Sequence, residues 1–361
     1  MRDMEGLSGT VLTEDGFIDG YICIENGIIT EISEGKCPCV PVSKGLIVPP
    51  LVNSHTHCAD GGLKISPDIS LDELVAPPNG LKHQYLRNLT DTALFNNMRH
   101  YSIASSRNGA GTFVDFREGG LKGCRILKAA SPEATILGRP VSEEYDPNEI
   151  DDILEIADGI GISGISDMDH NYVDAIADHV RKKKKIFAIH ASEKVREDID
   201  MILSLDPAFV VHMVEATDSD LLKCAETETP VIICARSNRY FGKVPPIKRI
   251  LDCGVDIGIG TDNAMLCEPD LRAEASVFRD TLTAQGGCSR DLVDPLFLRG
   301  RKILYPGNKI HLKVGMKADV SIMPYSGKFS IDKVLNSNKK VIRYPIREER
   351  PHEFLQYTYT D

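Results

Sequence analysis

The chain lacks an excess of basic residues: 42 Lys and Arg stand against 53 Asp and Glu, a formal net charge of −11. That balance disfavours a nucleic-acid partner, which calls for a basic face turned to phosphate. No run reaches the ~18 apolar residues of a membrane span, so no membrane partner is expected. The opening residues, Met1-Arg2-Asp3-Met4-Glu5-Gly6, contain no apolar stretch of the secretory kind. The expected location is therefore the cytoplasm. None of the ten cysteines forms a Cys-x-x-Cys pair. Thiols in that compartment stay reduced, and the one close pair, Cys37-Pro38-Cys39, reads as incidental packing. Repeats and low-complexity segments are missing too.

What is present fits an enzyme with a small-molecule substrate. Hydrophobic residues make up 42% and charged residues 26% of the 361, ordinary values for a globular chain. The length suits a barrel with an attached smaller domain. A homodimer or higher homo-oligomer is compatible with these numbers.

The organising stretch runs from Gly45 to His57, Gly-Leu-Ile-Val-Pro-Pro-Leu-Val-Asn-Ser-His-Thr-His. It reads as one short apolar strand ending in two histidines. Alternate strand residues point to the same side, so His55 and His57 project together and can reach one metal ion.

Before this stretch, short β-rich runs alternate with turns. Tyr21–Ile24 and Ile28–Ile32 flank Glu25-Asn26-Gly27, a strong hairpin signal. After it, strands alternate with helical stretches, the mark of parallel βαβ architecture. Helices are predicted over 90–107, 172–185 and 271–282. Strands are predicted over 111–116, 134–139, 159–165, 186–190, 209–212, 230–234 and 256–262. With the His55 strand these make eight, the number of a (β/α)8 TIM barrel, whose active residues sit at the C-terminal ends of the strands. His55, His57, His190, His212 and Asp262 all fall at such ends. The tail turns β again at 315–323 and 340–344. The expected fold is therefore α/β, a TIM barrel over 50–305. A small β-sandwich is expected from both ends of the chain, 1–49 and 306–361.

These pieces together resemble the amidohydrolase superfamily, in its cytosine deaminase, chlorohydrolase and adenosylhomocysteine deaminase branch. The resemblance rests on Pro50–His57, Gly111–Phe116, His190-Ala191-Ser192-Glu193, His212, Arg236-Ser237-Asn238, Gly260-Thr261-Asp262-Asn263 and Gly315–Val320, in the family's order. It implies a hydrolase with one divalent metal ion, zinc or ferrous iron, held by His55, His57, His190 and Asp262. It makes Glu193 the proton shuttle and His212 the group that orients the attacking water and the developing oxyanion. The fourth-strand region, Gly159–Asp167, has no lysine to bridge two metals, which favours one ion. The stretch after His57 lacks the Met-Leu-Arg-Gly pattern of adenosine-type deaminases.

The implied reaction is hydrolytic deamination of a purine, pyrimidine or related N-heterocycle. A protonated Glu193 can activate a ring nitrogen, Asp262 can move the water's proton, and His212 can donate to the tetrahedral oxygen. The alternatives are hydrolysis of a cyclic amide or ring C–N bond, as in imidazolonepropionase-like relatives, and a non-catalytic barrel. Arg117, Glu118 and Arg139 follow the second and third strands and are expected to face the mouth. Arg236, Ser237 and Asn238 follow the seventh. These six are the candidates for binding a polar substrate, since an arginine in a pocket fits a carboxylate or phosphate. His83, His100, His170, His179, His311 and His352 receive no role.

Overall fold

A computed structural model describes residues 4–345 except 67, 77–78, 306–309 and 338. The end of the expected third segment, 346–361, lies outside the described residues. The chain opens with β1 (Met4–Thr13), β2 (Gly16–Glu25) and β3 (Ile28–Glu34), joined as antiparallel neighbours. The β2–β3 turn places Asn26 at φ 52° and Gly27 at φ 75°, the left-handed pair that an Asn-Gly hairpin requires. Next, β4 (Pro41–Val48) runs parallel to β1.

The run from Gly45 to His57 is not one strand. It divides at Pro49-Pro50 into β4 and β5 (Leu51–His57), which belong to different sheets. Two consecutive residues without an N–H cannot continue a ladder, so the chain leaves one sheet there and enters the other.

A long excursion follows β5, with α1 (Leu71–Val75), α2 (Leu81–Asn88) and α3 (Asp91–Arg107). Then come β6 (Ala110–Arg117), α4 (Gly120–Ala130), β7 (Thr135–Gly138), α5 (Pro147–Ile156), β8 (Gly159–Ile162), α6 (His170–Lys182) and β9 (Ile186–Ala191). The series continues with α7 (Ile199–Ser204), β10 (Phe209–His212), α8 (Asp218–Glu226), β11 (Val231–Ile233), α9 (Ala235–Tyr240), α10 (Ile247–Asp252), β12 (Ile257–Ile259) and β13 (Asp262–Asn263). Last are α11 (Leu271–Ala284), α12 (Gly300–Leu304), β14 (Val320–Met323), α13 (Ile331–Leu335) and β15 (Ile342–Tyr344). Among the described residues no helix is long and apolar enough to cross a membrane.

Nine of these strands form one curled parallel sheet, in the order β12-β11-β10-β9-β8-β7-β6-β5-β13. Its two edge strands, β12 and β13, are separated only by Gly260 and Thr261, while β12 pairs with β11 and β13 with β5. The single eighth strand expected at 256–262 is therefore broken at Gly260. Alternate side chains explain the near-continuous apolar runs. Val114, Phe116, Leu137, Ala188, Phe209, Val211 and Ile232 cluster on one face. Their neighbours Phe113, Ile136, Phe187, Val210 and Val231 pack with the helical residues Ile153, Val173 and Ile202. Both faces of such a sheet are covered.

Both ends of the chain build the second sheet, ordered β15-β14-β4-β1-β2-β3. One face gathers Leu7, Val11, Ile22, Ile24, Ile47, Val320 and Ile322. The other contributes Leu12, Leu46 and Val48 to the main core. The thiols of Cys37 and Cys39 lie 3.6 Å apart, packed with Tyr21 and Cys23.

Candidate active site

The C-terminal ends of β5, β9 and β10 and the start of β13 bring His55, His57, His190, His212 and Asp262 together. His55 Nε2 lies 3.2 Å from His190 Nε2 and 3.3 Å from Asp262 Oδ1. His57 Nε2 is 3.7 Å from the same oxygen. Four bonds of ~2.0–2.1 Å at tetrahedral angles hold donor atoms roughly 3.3 Å apart. The shorter separations match that edge, and neutral imidazole with carboxylate is a divalent-metal donor set. Among the described residues, the groups that could hold a metal ion are His55 with His57 and His190, and His55 with His212 and Asp262.

The supporting contacts turn each ring the right way. His190 Nδ1 donates to Ile162 O at 2.9 Å, and His57 Nδ1 to Phe116 O at 3.2 Å. A ring whose Nδ1 carries the proton presents its Nε2 lone pair to the centre. Asp262 Oδ2 accepts from Ser237 Oγ at 2.5 Å, and Oδ1 from Asn263 Nδ2 at 3.1 Å. Asn238 Nδ2 donates to His212 Nδ1 at 3.3 Å, which leaves the His212 proton on Nε2. That nitrogen faces Glu193 Oε1 at 3.5 Å. His212 and Asp262 hold φ values of 80° and 59°, and Ser192 one of 47°. Left-handed backbone at non-glycine residues carries strain and gathers at functional sites.

Burial sets the charge states. It lowers His55 and His212 to about 4 and holds His190 well below its ordinary value, so these rings are neutral at pH 7. Burial also pushes Asp262 upward, but the His55 hydrogen bond and the neighbouring imidazoles outweigh it and keep the carboxylate ionised. For Glu193, burial and the charge of Asp262 act in the same direction and raise it to about 8.

No protein-family profile matches the chain. It is 33% identical over 264 residues to a protein of Archaeoglobus fulgidus, covering 73% of this chain and 76% of that one. It is 30% identical over 302 residues to a protein of Methanothermobacter thermautotrophicus, covering 76% and 78%. Both relatives are named, provisionally, as aminohydrolases. The chain belongs to the amidohydrolase superfamily. As a member it is an enzyme of the amidohydrolase type. The fold agrees. A zinc-bound adenosine deaminase of Xanthomonas campestris superposes with a TM-score of 0.76 at 15% identity, covering 92% of this chain and 88% of that one. The zinc complex of the atrazine chlorohydrolase of Arthrobacter aurescens superposes with a TM-score of 0.72 at 15% identity, covering 93% of each chain.

In this amidohydrolase the donor cluster forms one wall of a cavity of about 300 Å³, a small-molecule size. His57, His190, Glu193, His212, Asp262 and Arg139 line it. The other expected substrate residues lie elsewhere. Arg117 is 1% exposed and is bound to Asp115 Oδ1 at 2.9 Å and to Glu118. Glu118 contacts His57 Nδ1 at 2.9 Å from behind the ring. Ser237 and Asn238 stand behind Asp262 and His212, and Arg236 is bonded outside the cavity to Glu268 O at 3.1 Å.

Sequence reasoning missed the opposite wall, which comes from the excursion after β5: Leu71, Asp72, Val75, Ala76, Lys82 and His83. A capping-box signal at Ser70-Leu71-Asp72-Glu73 marks where α1 begins. Glu274 was missed as well. An oxygen of its buried carboxyl group accepts from Arg236 N at 3.0 Å and so fixes the start of α9, the helix that carries Ser237 and Asn238.

Proposed function

We propose that this amidohydrolase is a metal-dependent deaminase of an amino-substituted N-heterocycle, working with one divalent ion, zinc by analogy with its zinc-bound structural neighbours. His55, His57, His190 and Asp262 would hold that ion. When bound, it supplies the Lewis acidity that brings the pKa of a water from ~15.7 towards ~7. The observation that carries the reading is the placement of Glu193. Its carboxyl group lines the cavity beside this donor set, three residues beyond His190, and faces His212 Nε2 at 3.5 Å.

The roles follow from charge and position. Burial keeps the proton on Glu193 near neutral pH, so it can give that proton to a ring nitrogen and make the adjacent carbon electrophilic. Asp262 accepts the proton of the attacking water and passes it towards the departing amine. His212 Nε2–H donates to the oxygen on the tetrahedral carbon. Arg139 contacts the polar part of the substrate. Ser237 and Asn238 hold Asp262 and His212 in register, and Arg117 and Glu118 back the β5 histidines.

The same reading extends to the architecture. The short Gly260-Thr261 link between β12 and β13 supports a closed (β/α)8 barrel over 50–305. The sheet shared by both chain ends supports a sandwich formed from 1–49 and 306–361.

The direct test is ammonia release from amino-purines, amino-pyrimidines, their nucleosides and amino-triazines by the zinc-loaded protein. Release matched by the corresponding oxo product is the expected result. Ring opening without ammonia would replace deamination with ring C–N hydrolysis.

A further inference from the structure

The β6 end builds a charged cradle around His57. Asp115 Oδ2 accepts from Thr56 Oγ1 at 2.9 Å and from Cys58 N at 2.6 Å, so it holds the residues on both sides of that histidine, one by its side chain and one by its backbone. Arg117 joins Asp115 to Glu118. Glu118 Oε1 lies 2.9 Å from His57 Nδ1. The same oxygen lies 2.6 Å from Lys82 Nζ, whose residue is 3% exposed. Lys82 also stands 3.9 Å from Asp60 Oδ2.

Lys82 comes from α2, in the excursion that walls the cavity, and it lines the cavity itself. A lysine is almost never so deeply buried without a partner. Here its ammonium meets the carboxylate oxygen that lies against His57 Nδ1. A negative oxygen behind an imidazole strengthens the opposite nitrogen as a metal donor. A cation on that oxygen holds the carboxylate in place and offsets its burial.

We propose that Lys82 is a positioning residue that acts through Glu118 on His57, so that the cavity wall at α2 helps set the metal affinity of the centre. This rests on the reading of His57 as a ligand. The excursion is then fastened to the same site at its start, through His57 at β5, and in its middle, through Lys82 at α2. Docking of α2 and retention of the ion reinforce each other.

The test is a zinc competition titration against a chromophoric chelator on the full chain, with the melting temperature of each metal-free protein measured alongside. Glu118→Gln is expected to weaken zinc by 10–100-fold, the usual loss when the support of a ligand is removed. Lys82→Met is expected to weaken it by about 10-fold, and the double variant no more than Glu118→Gln alone, because one acts through the other. His57→Ala reports on the underlying reading. If it leaves zinc affinity unchanged, the ligand assignment fails and this proposal fails with it. If His57→Ala weakens zinc but Lys82→Met only lowers the metal-free melting temperature, or the two losses add, Lys82 is a structural anchor and the proposal is overturned. Should Lys82→Met not fold, Lys82→Gln serves the same comparison.

Discussion

His55 Nε2 stands 3.3 Å from Asp262 Oδ1, so the site lies where the first and last strands of the curled sheet, β5 and β13, pair. Gly260 makes the meeting possible. A Cβ there would lie 2.8 Å from both His55 Cβ and His55 O and 2.9 Å from His55 N. None of these atoms can move without shifting β5.

Gly260→Ala should therefore cost about 1–3 kcal/mol of stability, the usual range for overpacking, and should release part of the metal. Chemical denaturation and metal analysis of the same preparation check both. Wild-type stability with full metal content would show that β5 and β13 do not need this close approach.

Metal analysis should find one divalent ion per chain. His190→Ala should lose most of it, since the remaining donors form an incomplete shell. Two tightly bound ions per chain would contradict the single centre proposed for His55, His57, His190 and Asp262.

Acid stability should depend on Asp220. Arg196 donates to its two oxygens at 2.8 and 2.7 Å and Thr217 N donates at 2.9 Å, which lowers the carboxylate from 3.8 to about 2. A carboxylate with a depressed folded value contributes stability above its unfolded value and loses it as pH falls through the folded one. The window is thus pH 3.8 down to about 2. Because the Arg196 side chain is 54% exposed, the contribution is roughly 1 kcal/mol rather than the full shift. Urea midpoints at pH 5 and pH 2.5 test this. Asp220→Asn should be less stable than wild type at pH 5, and the gap should shrink at pH 2.5. An equal gap at both values would contradict it.

The parts of this fold that were legible in the sequence are those where one physical rule acts alone. Strands covered on both faces, such as Phe209–His212, read as apolar runs because nothing polar can sit on either side. That His55, His57, His190, His212 and Asp262 come together was legible from their places at the ends of expected strands; the choice of four of them as ligands came from the family resemblance and is a proposal. Pro49-Pro50 was read through as one strand, although two missing N–H groups force the change of sheet. Lys82 was not legible. In α2 (Leu-Lys-His-Gln-Tyr-Leu-Arg-Asn) only Lys82 is buried, so no apolar stripe marks its inward face. Its burial comes from tertiary contact with Glu118, which no local pattern encodes. The inward turn of Arg117 was missed for the same reason: its place depends on Asp115 and Glu118 rather than on strand periodicity.

The most direct test is the Glu193→Gln variant, with turnover of a deaminated heterocycle, metal content and melting temperature measured on one sample. Glutamine keeps the size and hydrogen-bonding capacity but cannot transfer a proton. Glu193 is not among the proposed metal ligands, so metal content and melting temperature should stay near wild type. Turnover should fall by ~10²–10⁴, the usual contribution of a positioned acid–base group, and the loss should appear in kcat rather than mainly in KM. Full activity with a lowered melting temperature would contradict the account, because Glu193 would then only support the loop after β9.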